Sequence, residues 1–234
     1  MIDNLLVAAS VIPAASKHGA QKLLYLASSC IYPKAAPQPF EPGALWTGPV
    51  EPTSAPYAVA KLAGMTLAGA YRRQRRDAFI SAIAADVYGP DDDFSPAQAH
   101  VVGALIRRMH EARESGVPAV DIWGTGTPRR EFIFVDDLAD ACLFAMRAYD
   151  DEAPINLGTG VTTSIAELAR MIRDVVGYRG ELRFDATRPD GMPLKGLASG
   201  VLRALGWQPA WELRAGLEAA YRGFVAQGRD RDRS

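Results

Sequence analysis

Apolar positions in IDNLLVAASVIPAASKHGA (2–20) recur at helical spacing and stop at Gly19, predicting a helix in which Pro13 is a candidate kink. KLLYLAS (22–28) is a short unbroken apolar run, as a parallel strand covered on both faces requires. A loop rich in Pro and Gly fills 33–56. YAVAKLAGMTLAGAYRRQ (57–74) then combines the helical period with strong helix formers. AFISAIAADVYGP (78–90) reads as a buried strand ending in a turn, 97–115 as a helix, and AVDIWG and REFIFV as further strands. From about 165 onward SIAELARMIRDVVG, ELRFDAT and LRAGLEAAYRGFVAQ predict a smaller mixed region, and the charged tail GRDRDRS is expected to fray. Strands alternating with helices indicate an α/β fold with a largely parallel sheet.

Composition narrows the possibilities. The chain has 234 residues, 48% hydrophobic and 23% charged, enough to bury a real core in one or two domains. A net charge of −1 advertises no polyanionic partner. YRRQRRDAF (71–79) is expected to be a solvated helix face, with no nucleic acid bound. Two cysteines, Cys30 and Cys142, make no disulfide framework and point to a reducing compartment. His18, His100 and His110 lack metal-ligand spacing, so no metal is expected. No run reaches the ~18 apolar residues of a membrane span, and a cytoplasmic protein is the expectation.

NLGTGVTTS (156–164) has the place of a dinucleotide-binding turn, but Thr163 stands where the third glycine belongs. Ser164 to Glu167 form S-x-x-E, so the segment is expected to cap the next helix. No complete glycine fingerprint occurs in the chain.

Chemistry concentrates elsewhere. Tyr57 and Lys61 form Y-x-x-x-K, which puts both side chains on one helix face. A lysine cation beside a phenol stabilises phenolate, so Lys61 is expected to lower the pKa of Tyr57 towards useful acid–base work. Ser28 ends a candidate parallel strand, where open α/β sheets bind ligands. Ser–Tyr–Lys in this order resembles the short-chain dehydrogenase/reductase superfamily.

SSCIYPK, EPTSAPYAVAKLAG, VYGPDDDF, AHVVGALIRRMHEA, WGTGTPRREFIFVDDLA, INLGTGV and RPDGMP fall in one order along the chain. Together they resemble the GDP-L-fucose synthase family of extended short-chain enzymes. The resemblance implies an NAD(P)-binding Rossmann-like, doubly wound parallel sheet with a smaller C-terminal mixed α/β substrate region. The expected division is 1–160 for the Rossmann-type part and 161–234 for the substrate region, strands interleaving. It also implies NADPH-dependent epimerisation and reduction of a GDP-sugar, with Tyr57, Lys61, Ser28, Cys30 and His100 catalytic. Leu26, Ala27, Ser28, Ser29, Lys61, Ala84, Ala85, Asp86, Val87 and His100 are implied at the NADP(H), and Arg108, Trp123, Arg130 and Asp190 at the sugar nucleotide. A homodimer is implied too. Cys30 and His100 are the implied base and acid of the epimerisation, a role that needs an electropositive setting for the thiol.

Departures from the family pattern shape the alternatives. The glycine-rich opening βαβ unit is lacking, so the chain is expected to be N-terminally truncated, with an exposed edge on the Ser28 strand. The family's P-T-N reads Ala84-Ala85-Asp86, a basic pair reads Leu194-Lys195, and Ala198 stands where aspartate is usual. The alternatives are a catalytically impaired remnant, the C-terminal part of a split enzyme with a separately encoded N-terminal segment, and another nucleotide-sugar epimerase or reductase.

Overall fold

The computed structural model describes residues 1–231. In chain order its elements are α1 (Ile2–Lys17), β1 (Leu23–Ser28), α2 (Ala55–Arg75), β2 (Phe79–Ala84), β3 (Asp86–Tyr88), α3 (Val101–Glu114), β4 (Ala119–Trp123) and β5 (Arg129–Phe134). There follow α4 (Val135–Ala148), β6 (Ile155–Leu157), β7 (Thr162–Ser164), α5 (Ile165–Val176), β8 (Glu181–Asp185), β9 (Leu194–Lys195), α6 (Gly200–Ala204) and α7 (Leu213–Arg231). The tail expected to fray is helical as far as Arg231, and 232–234 lie outside the described residues. Parallel strands joined by helices make this a Rossmann-like α/β fold. Among the described residues no helix is long and apolar enough to cross a membrane.

The chain divides into two compact units. The first comprises 1–86, 136–161 and 195–208. Its sheet is parallel in the order β1-β2-β6, with Leu23 opposite Phe79 and Ser28 opposite Ala84. Every residue of β2 is buried, which is why FISAIA reads as a continuous apolar run. Ala8 and Ile12 of α1 pack with Ala68 of α2 and Phe79 of β2. Helix α1 runs through Pro13 without ending there, while its Ile2, Leu6, Val7 and Val11 are exposed. Gly64 lets α2 lie against the Tyr25 phenol, which a Cβ would overlap. The basic end of α2 is paired internally: Arg72 binds Asp150 at 2.7 Å and Arg73 binds Glu152. Tyr32 stacks on Phe40 at 4.6 Å and donates to Asn156 at 2.7 Å, pinning the Pro-rich loop over the end of β6.

The second unit comprises 87–135, 162–194 and 209–234. Here α3, α5 and α7 bury Leu105, Ile106, Met109, Leu168, Ile172 and Leu217 in one core. β5 pairs with β7 antiparallel, and β4 with β8 parallel. Ser164 and Glu167 form the capping box of α5, and Gly177 ends that helix at φ 74°. Ser164, the last residue of NLGTGVTTS, is therefore the helix cap its sequence indicates, and the rest of the segment spans the end of β6 and the start of β7. The run 78–90 departs from expectation. It breaks at Ala85, whose N–H donates to the Leu157 carbonyl at 3.1 Å, so β2 and β3 enter different sheets.

Candidate active site

Two clusters hold the chemistry-bearing residues, one in each unit. In the first unit, parallel pairing brings the carboxyl ends of β1 and β2 side by side, at Ser28 and Ala84. Ser28 leaves the strand extended, and its hydroxyl accepts from the Cys30 N–H at 3.4 Å, opening a short 3-10 turn over 29–31. That turn fixes Cys30 half-buried and carries Ser29 inward, 2% exposed. The Ser29 Oγ is buried with no hydrogen-bond partner. Ala84 and Ala85 are buried, while Asp86 and Val87 open β3.

Pro56 is the second residue of α2, which sets Tyr57 in its first turn and Lys61 one turn on. Tyr57 is 38% exposed. Its phenol is pushed up by burial and by neighbouring Cys30, while a hydrogen bond with Ser28 and the Lys195 cation pull it down less strongly. This reverses the expected effect of Lys61. The Lys61 ammonium lies 5.9 Å from the Tyr57 ring centroid and donates to the Leu26 carbonyl at 3.0 Å. Burial holds that ammonium below the usual lysine range.

Lys195 was not among the site residues expected from sequence, yet it lies at the centre of this cluster. Its Nζ donates to Asp86 Oδ1 at 2.8 Å and to Cys30 Sγ at 3.4 Å. Burial alone would depress the ammonium; Asp86 and Cys30 outweigh that and raise it. The only sequence signal was Leu194-Lys195, where a basic pair was due.

The second unit gathers Trp123, Asp190 and Arg130 near the loop 188–192. Asp190 accepts from the Thr125 N–H at 2.7 Å and the Thr125 hydroxyl at 2.8 Å. Gly124, at φ +81°, admits that carboxylate where a Cβ would collide with it. Arg188 covers the face of Trp123 at 5.2 Å, and Trp123 is 69% exposed. Arg130 donates to the Met192 carbonyl at 2.7 Å. Arg108 stands apart on α3, bound to the Asp121 carbonyl. His100 is the exposed N-cap residue of α3. It neighbours Asp92, whose carboxyl is pushed up by burial against the pull of the Asp93 N–H and of His100. Cys30 and His100 thus belong to different units. Among the described residues no cluster of His, Cys, Asp and Glu could hold a metal ion.

A buried hydroxyl without a partner, a lysine ammonium and a phenol at the end of a parallel strand form a donor set that fits a nicotinamide ribose.

Comparison with known proteins agrees with this chemistry. Residues 1–158 match the NAD dependent epimerase/dehydratase family. GDP-L-fucose synthase 1 of Arabidopsis thaliana is 48% identical over 218 residues, covering 93% of this chain and 68% of that protein. GDP-L-fucose synthase of Escherichia coli (strain K12) is 44% identical over 240 residues, covering 99% and 74%. Among solved structures, MlghC, a GDP-mannoheptose C4 reductase from Campylobacter jejuni with NADP bound, superposes with a TM-score of 0.85. Its sequence is 30% identical, over 95% of this chain and 73% of that one.

Proposed function

The chain belongs to the NAD dependent epimerase/dehydratase family, and from that membership we propose that it acts as a GDP-L-fucose synthase, an NADPH-dependent epimerase and reductase that converts GDP-4-dehydro-6-deoxy-D-mannose to GDP-L-fucose. The observation that carries the reading is the convergence of Ser28, Cys30 and Tyr57 at the carboxyl end of β1.

NADPH supplies a hydride when bound, and Tyr57, Lys61 and the inward Ser29 hydroxyl are the groups that would hold its nicotinamide ribose. Leu26, Ala27, Ala84, Ala85, Asp86 and Val87 would form the surrounding wall. Tyr57 is the proton donor of the reduction. A phenol held above its ordinary value keeps its proton at neutral pH and delivers it to the ketone oxygen as that oxygen gains negative charge. Ser28 orients the same oxygen by a hydrogen bond. For the epimerisation, the Cys30 thiolate removes a proton from a carbon flanking the ketone, where the carbanion is stabilised as an enolate. His100 returns one on the opposite face, a pairing supplied by the family resemblance. Arg108, Trp123, Arg130 and Asp190 are assigned to the sugar nucleotide; guanidinium groups suit a diphosphate because they bind it bidentately without losing charge. A cytoplasmic homodimer completes the reading.

A second reading is a split enzyme, in which a separately supplied segment carrying a glycine-rich turn completes the cofactor site. Incubating the chain with GDP-4-dehydro-6-deoxy-D-mannose and NADPH, and identifying the product by nuclear magnetic resonance, tests the first reading. GDP-L-fucose is the expected product. Activity that appears only when an N-terminal half is added supports the split enzyme, and no product in either case overturns both.

A further inference from the structure

Cys30 sits in the 3-10 turn after β1, Asp86 just past the end of β2, and Lys195 on β9, 165 residues along the chain from the thiol. Their meeting is built by backbone contacts within the first unit. The Phe40 N–H donates to the Gly196 carbonyl at 2.8 Å, and the Ala198 N–H donates to the Phe40 carbonyl at 3.0 Å. The Gln38 side chain accepts from the Gly196 N–H at 3.1 Å. The segment carrying Lys195 is therefore fixed on both sides of Gly196. The lysine side chain is 13% exposed and that of Asp86 31%, so the pair is largely withdrawn from solvent.

We propose that Lys195, anchored by Asp86, is the positioning residue that supplies the positive charge at the Cys30 sulphur. A thiol becomes a useful base as its thiolate, and thiolate is favoured by a nearby cation. Lys195 is the cation that contacts the sulphur; Lys61 is turned to the Leu26 carbonyl. Tyr57 also acts on this cluster and feels both Cys30 and Lys195, so one ammonium serves the thiol and the phenol together. Asp86 has two opposed effects. It holds the ammonium in place, and its own negative charge, in a largely desolvated pair, offsets part of what the sulphur feels. Asparagine at 86 would keep an acceptor for Lys195 and remove that offset. The assignment rests on the proposed role of Cys30 as base, but its consequence is a thiol reactivity that needs neither substrate nor cofactor.

The test is the rate of S-alkylation of Cys30 by iodoacetamide at neutral pH, mapped by mass spectrometry. Cys142, whose thiol is pushed up by burial, serves as the internal reference for an intact fold. K195M should slow Cys30 alkylation by roughly fivefold to tenfold. K195R should restore most of the rate, and D86N should raise it about twofold to threefold above the native chain. An unchanged Cys30 rate in K195M overturns the proposal, as does a fall in D86N equal to that in K195M. If K195M fails to fold, the opposite responses expected of D86N and K195R decide alone: D86N faster with K195R near native supports the proposal, and any other pattern overturns it. A native chain that alkylates as expected yet makes no GDP-L-fucose leaves this assignment standing and removes the functional reading instead.

Discussion

The turn after β1 and the loop after β4 both gather polar side chains, and they use them in opposite ways. After β1, polar groups act on one another: Lys195 is shared between Asp86 and Cys30, Tyr57 answers to Ser28 and Lys195, and the Ser29 hydroxyl is buried without a partner. After β4, Asp190 is committed to the backbone and hydroxyl of Thr125, and Arg130 to the Met192 carbonyl. The first arrangement holds reactive groups in a perturbed state. The second shapes a loop and leaves one broad aromatic surface, Trp123, exposed. On the proposed function, the difference separates groups that do chemistry from groups that give a substrate something to lie on.

Substitutions should divide along the same line. The largest effect is expected from Tyr57→Phe, which removes the proposed proton donor and should lower turnover by on the order of 10³-fold while leaving the melting temperature unchanged. A melt and a turnover assay on one sample check it; a large stability loss would mean that Tyr57 belongs with the structural cluster. Asp190→Ala should instead lower the melting temperature and, on the proposed reading, raise KM for the sugar nucleotide as well. Thr125 is exposed, so losing its acceptor should cost only about 0.5–1.5 kcal/mol, read as a fall in melting temperature of roughly 1–6 °C.

The two clusters also differ in how far the sequence revealed them. While the grouping of Ser28 with Tyr57 came from the family resemblance, the strand ending at Ser28 and the helix face shared by Tyr57 and Lys61 were legible from local rules, an apolar run and a 3.6-residue period. The capping of α5 was legible for the same reason, its partners being three residues apart. What distance in the chain brings together was not. Lys195 reaches Cys30 through pairing of the Phe40 and Gly196 backbones, which no periodicity encodes. The direction of the Tyr57 shift was lost similarly, because burial depends on tertiary packing and the motif alone suggests that Lys61 dominates. The run 78–90 looked continuous because Val87 and Tyr88 carry on the β-forming character of β2 past Asp86, and the break at Ala85 is visible only in its bond to Leu157.

Stability against pH gives a further, smaller contrast. The Lys195 ammonium is raised above its ordinary value of 10.5, so its contribution is fully present below that pH and is lost as pH rises through the higher folded-state value. Tyr57 is raised above 10.0 and acts with the same sign. Urea midpoints should therefore fall as pH is taken past 10.5, and fall less steeply in K195M. Equal slopes would remove Lys195 from the account. The smallest effect is expected from Trp123→Ala: a stability change within about 0.5 kcal/mol for an exposed side chain, with a severalfold rise in KM. A large loss of stability there would put Trp123 with the structural groups around it.

The central claim is that Cys30 moves protons at carbon while Tyr57 moves the proton that accompanies reduction. Solvent deuterium incorporation into GDP-4-dehydro-6-deoxy-D-mannose, followed by nuclear magnetic resonance in the native chain, Tyr57→Phe and Cys30→Ser without added NADPH, tests it most directly. The account predicts exchange at the carbons flanking the ketone in the native chain and in Tyr57→Phe, and its loss in Cys30→Ser. Undiminished exchange in Cys30→Ser, or its loss in Tyr57→Phe alone, would contradict it.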